Sequence, residues 1–481
     1  MTLPRNGDDR AWPAKRRSRI VRIATLLLAA AVTLSLARYA FQALSVATGY
    51  AAKLTCSLSI NSKQPADRIS AELLDHVLAP VSRRLTITAA DCCASASAFG
   101  FVRARAVFRP GLGCTLLNGR SERELALLEG TRERPSLDPN APWPLGEGGP
   151  ATAPDPAIEA AIDAAFGEAD PAGSGRARQT KAIVVAHRGR LIAERYADGY
   201  SASTPMISWS MAKSVLAAVV GIAASDGRLA LNEPAPVPEW SADDDPRRAI
   251  TLDQLLRMSS GLRFDETYGA INDVSRMLFA EPDTGAYAAR SRLAAAPDTV
   301  WSYSSGTSNL VARILRDNFG KDVTKFVGYA RERLFDPASI TSAFFEHDAS
   351  ETPIGSSFVF MTPRDWARFG ELHRNDGVWN GRRVLPEGWV RYVTTPTPRA
   401  PHGCYGAHWW LNAGDPSDPG ERPWPSLPTD TYAARGYSGQ WLLVIPSREL
   451  VVVRLGIAFP DDGDDGTVEM ARAVIDALHD R

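Results

Sequence analysis

Apolar and polar positions sort most clearly near the two ends of the C-terminal two thirds of the chain. Lys181–His187 and Leu191–Tyr196 are β-rich runs joined by Arg188-Gly189-Arg190, the signature of a hairpin. Trp441–Ile445 and Leu450–Ile457 form a second pair across Pro446-Ser447-Arg448-Glu449. Amphipathic helical patterns flank these strands, at about Pro156–Phe166 and Thr467–Leu478. Between them runs a long mixed section. An apolar helix through Val215, Leu216, Val219, Val220, Ile222 and Ala223 stops near Asp226-Gly227, and Thr251 is placed to cap Leu252–Met258 before the turn Ser259-Ser260-Gly261. Strands at both ends with helices between predict an α+β domain whose single antiparallel sheet is closed by both termini.

The first 150 residues follow other rules. Lys15-Arg16-Arg17-Ser18-Arg19 is a basic cluster, and Ile23–Ala37 is a 15-residue uncharged, mostly apolar run. That pattern predicts a signal peptide or a membrane anchor over residues 1–50, with residues 20–42 as the anchoring stretch. The body of the protein is then exported, to a periplasm or its equivalent, with the positive charge left inside. Residues 51–134 form an N-terminal extension with a helix at Ile69–Leu78 and a strand at Ala104–Phe108. This piece holds Cys56, Cys92, Cys93 and Cys114; export permits disulfides, and the sequence leaves all three pairings open. Residues 135–156 hold seven prolines in 22 residues and read as a stiff, solvated linker to a domain at 157–481.

Composition narrows the function classes. The 481 residues carry a net charge of −1, so no overall field points to nucleic acid. No cysteine–histidine spacing resembles a zinc site, and no metal or cofactor is expected.

Chemistry enters at Ser210-Met211-Ala212-Lys213. Three residues on a helix are nearly one turn, so the two side chains share a face and can touch. A serine hydroxyl needs a neighbouring base before it is a useful nucleophile. A lysine can serve when burial and the positive end of a helix lower its pKa. The bland alternative is a capping serine beside a solvated lysine. The chain has seven lysines, and only Lys213 has a serine three positions earlier. Two hydroxyl-rich loops offer partners: Trp301-Ser302-Tyr303-Ser304-Ser305-Gly306, whose Tyr303 can carry a proton beside an ammonium, and Gly436-Tyr437-Ser438-Gly439-Gln440, where Gly439 allows close approach to a strand.

Taken in order, these stretches resemble the serine β-lactamase and penicillin-binding-protein superfamily, in its class C β-lactamase, esterase and 6-aminohexanoate-dimer hydrolase branch. Ser210-Met211-Ala212-Lys213 corresponds to Ser-x-x-Lys, Tyr303-Ser304-Ser305 to Tyr-x-Asn/Ser, and Tyr437-Ser438-Gly439 to the Lys-Thr-Gly variants. Leu255–Leu262 and Thr362–Gly370 also look familiar, and the likeness covers about 157–481. The resemblance implies an antiparallel sheet flanked by helices with an all-helical subdomain. It implies an acyl-enzyme on Ser210, proton transfer by Lys213 and Tyr303, and Ser305 holding Lys213. The oxyanion would sit between the N–H groups of Ser210 and Gln440, while Tyr437, Gly439 and Tyr268 would face the substrate. Tyr437 stands where penicillin-recognising members carry lysine, which lowers the expectation of β-lactam turnover.

The leading expectation is therefore an exported serine hydrolase acting on a small ester or amide. A β-lactamase or D-alanyl-D-alanine carboxypeptidase is the second, and a membrane-anchored sensor without catalysis the third.

Overall fold

The computed structural model describes residues 14–79, 81–128, 135–150, 155–166, 177–415, 417, 418, 420–459 and 465–479. Its centre is a six-stranded antiparallel sheet. From one edge to the other, the strands are Trp410–Leu411, Tyr432–Gly436, Gln440–Ile445, Leu450–Phe459, Ala177–His187 and Arg190–Tyr196. The first and last strands of the domain pair with each other, Val184 opposite Val453, so both termini close the sheet as expected.

Period-two alternation assigns the two faces. Ile183, Val185, Leu443 and Val452 turn toward the helices Pro156–Phe166 and Thr467–His479, which cover that face with Ile158, Ile162, Val474 and Ile475. Ala182, Val184, Leu442 and Val453 turn the other way, into the larger core. The helix Pro363–Arg374 lies on that side, so close that a Cβ on Gly370 would fall 2.6 Å from the Val451 side chain. Beyond it are the helix Ala212–Ser225, buried over nearly its whole length, and a helical section including Asp273–Phe279, Ser305–Asn318 and Val323–Ala330. Thr251 caps Leu252–Leu256 through a reciprocal box with Gln254, as its position in the sequence predicts.

The N-terminal region departs from its expected plan. One unbroken helix runs from Ala14 to Asn61, across the expected boundary at residue 50. Its first half carries exposed Val21, Ile23, Leu26, Leu27, Leu28, Val32, Leu34, Leu36 and Phe41, whereas its second half is core. From residue 21 on, this helix is long and apolar enough to cross a membrane. The extension is not a detached piece: a four-stranded sheet (Leu85–Ala90, Cys93–Ala98, Val102–Arg109, Gly113–Leu116) packs on the same helix. Glu346 of the main domain binds both the helix and the sheet. Glu346 pairs with Lys53 at 2.7 Å and accepts from Ser57, Asn61 and the Cys114 N–H, all in a dry setting. The disulfide left open by the sequence joins Cys56 to Cys114, and Cys92 and Cys93 are free.

Residues 151–154 of the proline-rich segment lie outside the described residues; of the rest, the stretch 143–146 is docked rather than solvated. Trp143 is buried, and Arg368 donates to the carbonyls of Pro144 and Gly146. Proline content supplies stiffness, but here one tryptophan and two backbone carbonyls supply an attachment that composition conceals.

Candidate active site

Ser210 lies in a single 3-10 turn, Trp209–Met211, that feeds directly into the helix Ala212–Ser225. The preceding Trp209 has φ of 45°, a left-handed conformation uncommon for a bulky residue. Ser208 pins this turn from beneath: its hydroxyl donates to the Trp209 carbonyl and accepts from the Val359 N–H. The half-buried Ser210 hydroxyl is thereby presented at the start of a buried helix.

Lys213 is 1% exposed, and its Nζ makes three contacts of 3.0 Å, to Ser210 Oγ, Ser305 Oγ and the Ser356 carbonyl. Burial brings its pKa down to about 8, while the nearby Glu266 carboxylate pulls it upward. The Tyr303 ring lies beside the same ammonium, 4.8 Å from Nζ to the ring centroid, and is boxed by Tyr405 and Trp410. Ser305 begins the helix Ser305–Asn318, capped by Ser304. Ser210, Lys213, Tyr303 and Ser305 are thus brought together from segments about 90 residues apart.

Two contributors escaped the sequence reading. Glu266 accepts from the Ser305 N–H at 2.6 Å and from its hydroxyl at 2.5 Å, and burial raises its pKa. His408 is buried, with Nδ1 3.1 Å from the Lys213 carbonyl and Nε2 3.1 Å from Ser308 Oγ; burial holds its pKa down to about 3, so the ring is neutral. Neither has a sequence signal: an acid in a polar loop and one histidine before a tryptophan reveal their burial only in three dimensions.

The third motif is a loop that leads straight into a strand, as expected. Tyr437-Ser438-Gly439 is the turn between Tyr432–Gly436 and Gln440–Ile445, with Ser438 and Gly439 at φ of 60° and 79°. The strand that approaches the Ser210 turn is Tyr432–Gly436, where a Cβ on Gly436 would fall 2.2 Å from the Ser208 carbonyl. Gln440 comes after the turn, opposite Gly436 in the ladder, and its carboxamide donates to the Tyr437, Ser438 and Gly456 carbonyls. Its N–H belongs to the ladder side, so the expected oxyanion role of Gln440 does not fit this register. On the other edge, Asn412 N–H donates to the Thr431 carbonyl at 3.0 Å, and the pairing continues to Ala433 opposite Trp410. Alternation then turns the N–H groups of Arg435 and Tyr437 to this same edge, beyond the end of the short Trp410–Leu411 strand.

Tyr268 stacks on Tyr437 at 4.5 Å between centroids, and both rings meet Trp209 edge-on. The expected substrate-facing tyrosines therefore form one aromatic wall beside Ser210. The Tyr268 hydroxyl is buried and without a partner.

The family model described as β-lactamase matches residues 160–476. The chain belongs to the β-lactamase family. Within that family it is 24% identical over 313 residues to the 6-aminohexanoate-dimer hydrolase of Paenarthrobacter ureafaciens, covering 59% of this chain and 73% of that protein. A Bacteroides dorei protein assigned as a β-lactamase superposes with a TM-score of 0.52 at 17% identity, over 68% of this chain and all of that one. A family VIII carboxylesterase superposes with a TM-score of 0.48 at 16% identity, over 68% of this chain and 99% of the other. The family and its hydrolase members make this chain a serine hydrolase of the β-lactamase fold.

Proposed function

We propose that the protein is an exported, membrane-anchored hydrolase that cleaves uncharged esters or amides through an acyl-enzyme on Ser210. The observation that carries this reading is the Lys213 amine 3.0 Å from the Ser210 hydroxyl in a dry setting that favours the neutral amine.

Neutral Lys213 takes the Ser210 proton as the hydroxyl oxygen attacks the substrate carbonyl. The resulting oxyanion lies between the N–H groups of Ser210 and Tyr437, both fixed before the substrate arrives. Removing one such donor typically costs about 3–4 kcal/mol of transition-state stabilisation. Tyr303 and Lys213 return the proton to the departing alkoxide or amine, and water then attacks the acyl-enzyme by the same route in reverse. Ser305 and the Ser356 carbonyl hold the ammonium in line, and His408 fixes the backbone beneath it. The Paenarthrobacter relative is named for hydrolysis of a 6-aminohexanoate dimer, which accords with this chemistry. Anchoring rests on the apolar, exposed Val21–Phe41 half of a helix whose other half is bonded into the catalytic body.

The test is a fluorophosphonate label followed by peptide mapping. Modification of Ser210, abolished in Ser210→Ala, supports the reading; modification elsewhere, or none, removes it.

A further inference from the structure

A cavity of about 440 Å³ lies between the N-terminal helix and the catalytic body. Ala43, Ala47 and Tyr50 of the helix form one wall, Val77 and Phe279 close the sides, and Tyr268 and Tyr437 form the far wall. The volume falls within the roughly 300–1,000 Å³ usual for small-molecule sites.

Three observations bear on what it holds. First, its far wall is the stacked tyrosine pair, and the Tyr437 ring meets Trp209, the neighbour of Ser210, at 5.3 Å between centroids. The cavity therefore backs onto the turn that carries Ser210. Second, Tyr50 and Tyr268 line this space, but their hydroxyls are closed off and have no hydrogen-bond partner, so the pair offers the cavity ring surface rather than a polar group. Third, the helix wall continues directly into the exposed apolar turns from Val21 to Phe41, about 30 Å of helix, the thickness of a bilayer's hydrocarbon layer. The cavity sits where that helix enters the protein body.

We infer that the cavity is an acyl-chain site: the substrate is an ester or amide of a medium-length or long fatty acyl group, supplied from the bilayer that holds the helix. The carbonyl lies at Ser210, and the chain passes the edge of the tyrosine pair to fill the space against Ala43 and Ala47. This inference rests on the acyl-enzyme reading above and specifies its substrate.

The test uses the full-length protein in phosphatidylcholine vesicles and p-nitrophenyl esters from butyrate to decanoate. The decanoate-to-butyrate ratio of kcat/KM is compared between the unmodified protein and Ala43→Phe or Ala47→Phe, so that partitioning of the esters into lipid cancels. Ala43 is only half-buried, so its variant provides a folded protein if the second fails to fold. Each phenylalanine should lower the ratio at least about tenfold, as loss of buried methylenes requires. An unchanged ratio in a variant with an unaltered melting temperature overturns the inference while leaving the acyl-enzyme reading intact. A binding arm needs no turnover: decanoate should slow maleimide labelling of Ala43→Cys in a Ser210→Ala background several-fold, and butyrate should not. Equal labelling overturns the inference whatever the enzyme hydrolyses. Ester supplied in the protein's own vesicles should be cleaved faster than ester added in separate vesicles, and equal rates would overturn the bilayer as its source.

Discussion

Glu266 grips Ser305 at two points, the backbone N–H at 2.6 Å and the hydroxyl at 2.5 Å, while the same hydroxyl accepts from Lys213 at 3.0 Å. A buried carboxylate therefore stands one hydroxyl away from the amine that must be neutral to act as a base. Its negative charge favours the ammonium, opposing the burial that lowers Lys213 to about 8. Activity is accordingly expected to rise with pH through about 8, because deprotonation creates the base. Glu266→Gln removes the charge that holds the proton, so the rising limb moves to lower pH while the hydrogen bonds from Ser305 are largely kept. A kcat/KM profile on a neutral ester checks this; movement of the limb to higher pH would contradict it.

Ser210 makes no capping hydrogen bond to the helix that follows, whose N-cap is Met211. Ser210→Ala should therefore change stability by less than about 1 kcal/mol, below the usual cost of losing a cap. Ester hydrolysis should fall at least about a thousandfold in the same protein. Lys213→Met and Tyr303→Phe should add little to that loss when combined with it, because groups acting as one unit have non-additive effects. Surviving hydrolysis in Ser210→Ala would identify another nucleophile.

The contrast between these residues shows what a sequence can carry. Ser210 and Lys213 are legible because a spacing of three on a helix fixes their mutual geometry, and the hairpins are legible because alternation and turn residues are local. Glu266 and His408 act through burial and through contacts 39 to 195 positions away, which no local pattern encodes. The Ala14–Asn61 helix shows the opposite failure. Hydropathy found its exposed half, but the buried half mixes Lys53, Ser57 and Asn61 with alanines because those polar groups meet Glu346. Polar residues satisfied by a distant acid look like surface. The loop at Tyr437–Gly439 is legible, but which of its N–H groups faces Ser210 is not, because only the ladder register decides that.

The Lys53–Glu346 pair makes the helix and the catalytic body one unit. Both side chains are essentially inaccessible, and breaking such a pair from one side typically costs about 3–5 kcal/mol. Lys53→Met should lower stability by that amount, and the double variant Lys53→Met with Glu346→Leu should recover part of it, because no lone buried charge remains. Denaturant unfolding of the detergent-solubilised protein measures both. A neutral effect of Lys53→Met would mean that the helix is not coupled to the body.

Substrate charge is the last test. On the strand facing Ser210, the side chains turned to the site are Ala434 and Gly436, while the Arg435 guanidinium lies over the Trp441 ring at 4.1 Å, on the other face. Tyr437 adds a ring against Trp209 and Tyr268. The strand thus presents no cation to an anionic substrate group. An anionic β-lactam loses a charge-assisted hydrogen bond there, the stronger kind at roughly 1.5–3 kcal/mol. At about 1.4 kcal/mol per tenfold, that amounts to about one to two powers of ten in discrimination. Uncharged esters should therefore turn over with a higher kcat/KM than nitrocefin, and Tyr437→Lys should narrow the gap by placing an ammonium beside Trp209. The measurement is kcat/KM for a butyrate ester and for nitrocefin in both proteins. A preference for nitrocefin in the unmodified enzyme would mean that the anion is met by a group outside this strand, and the substrate would then be a β-lactam.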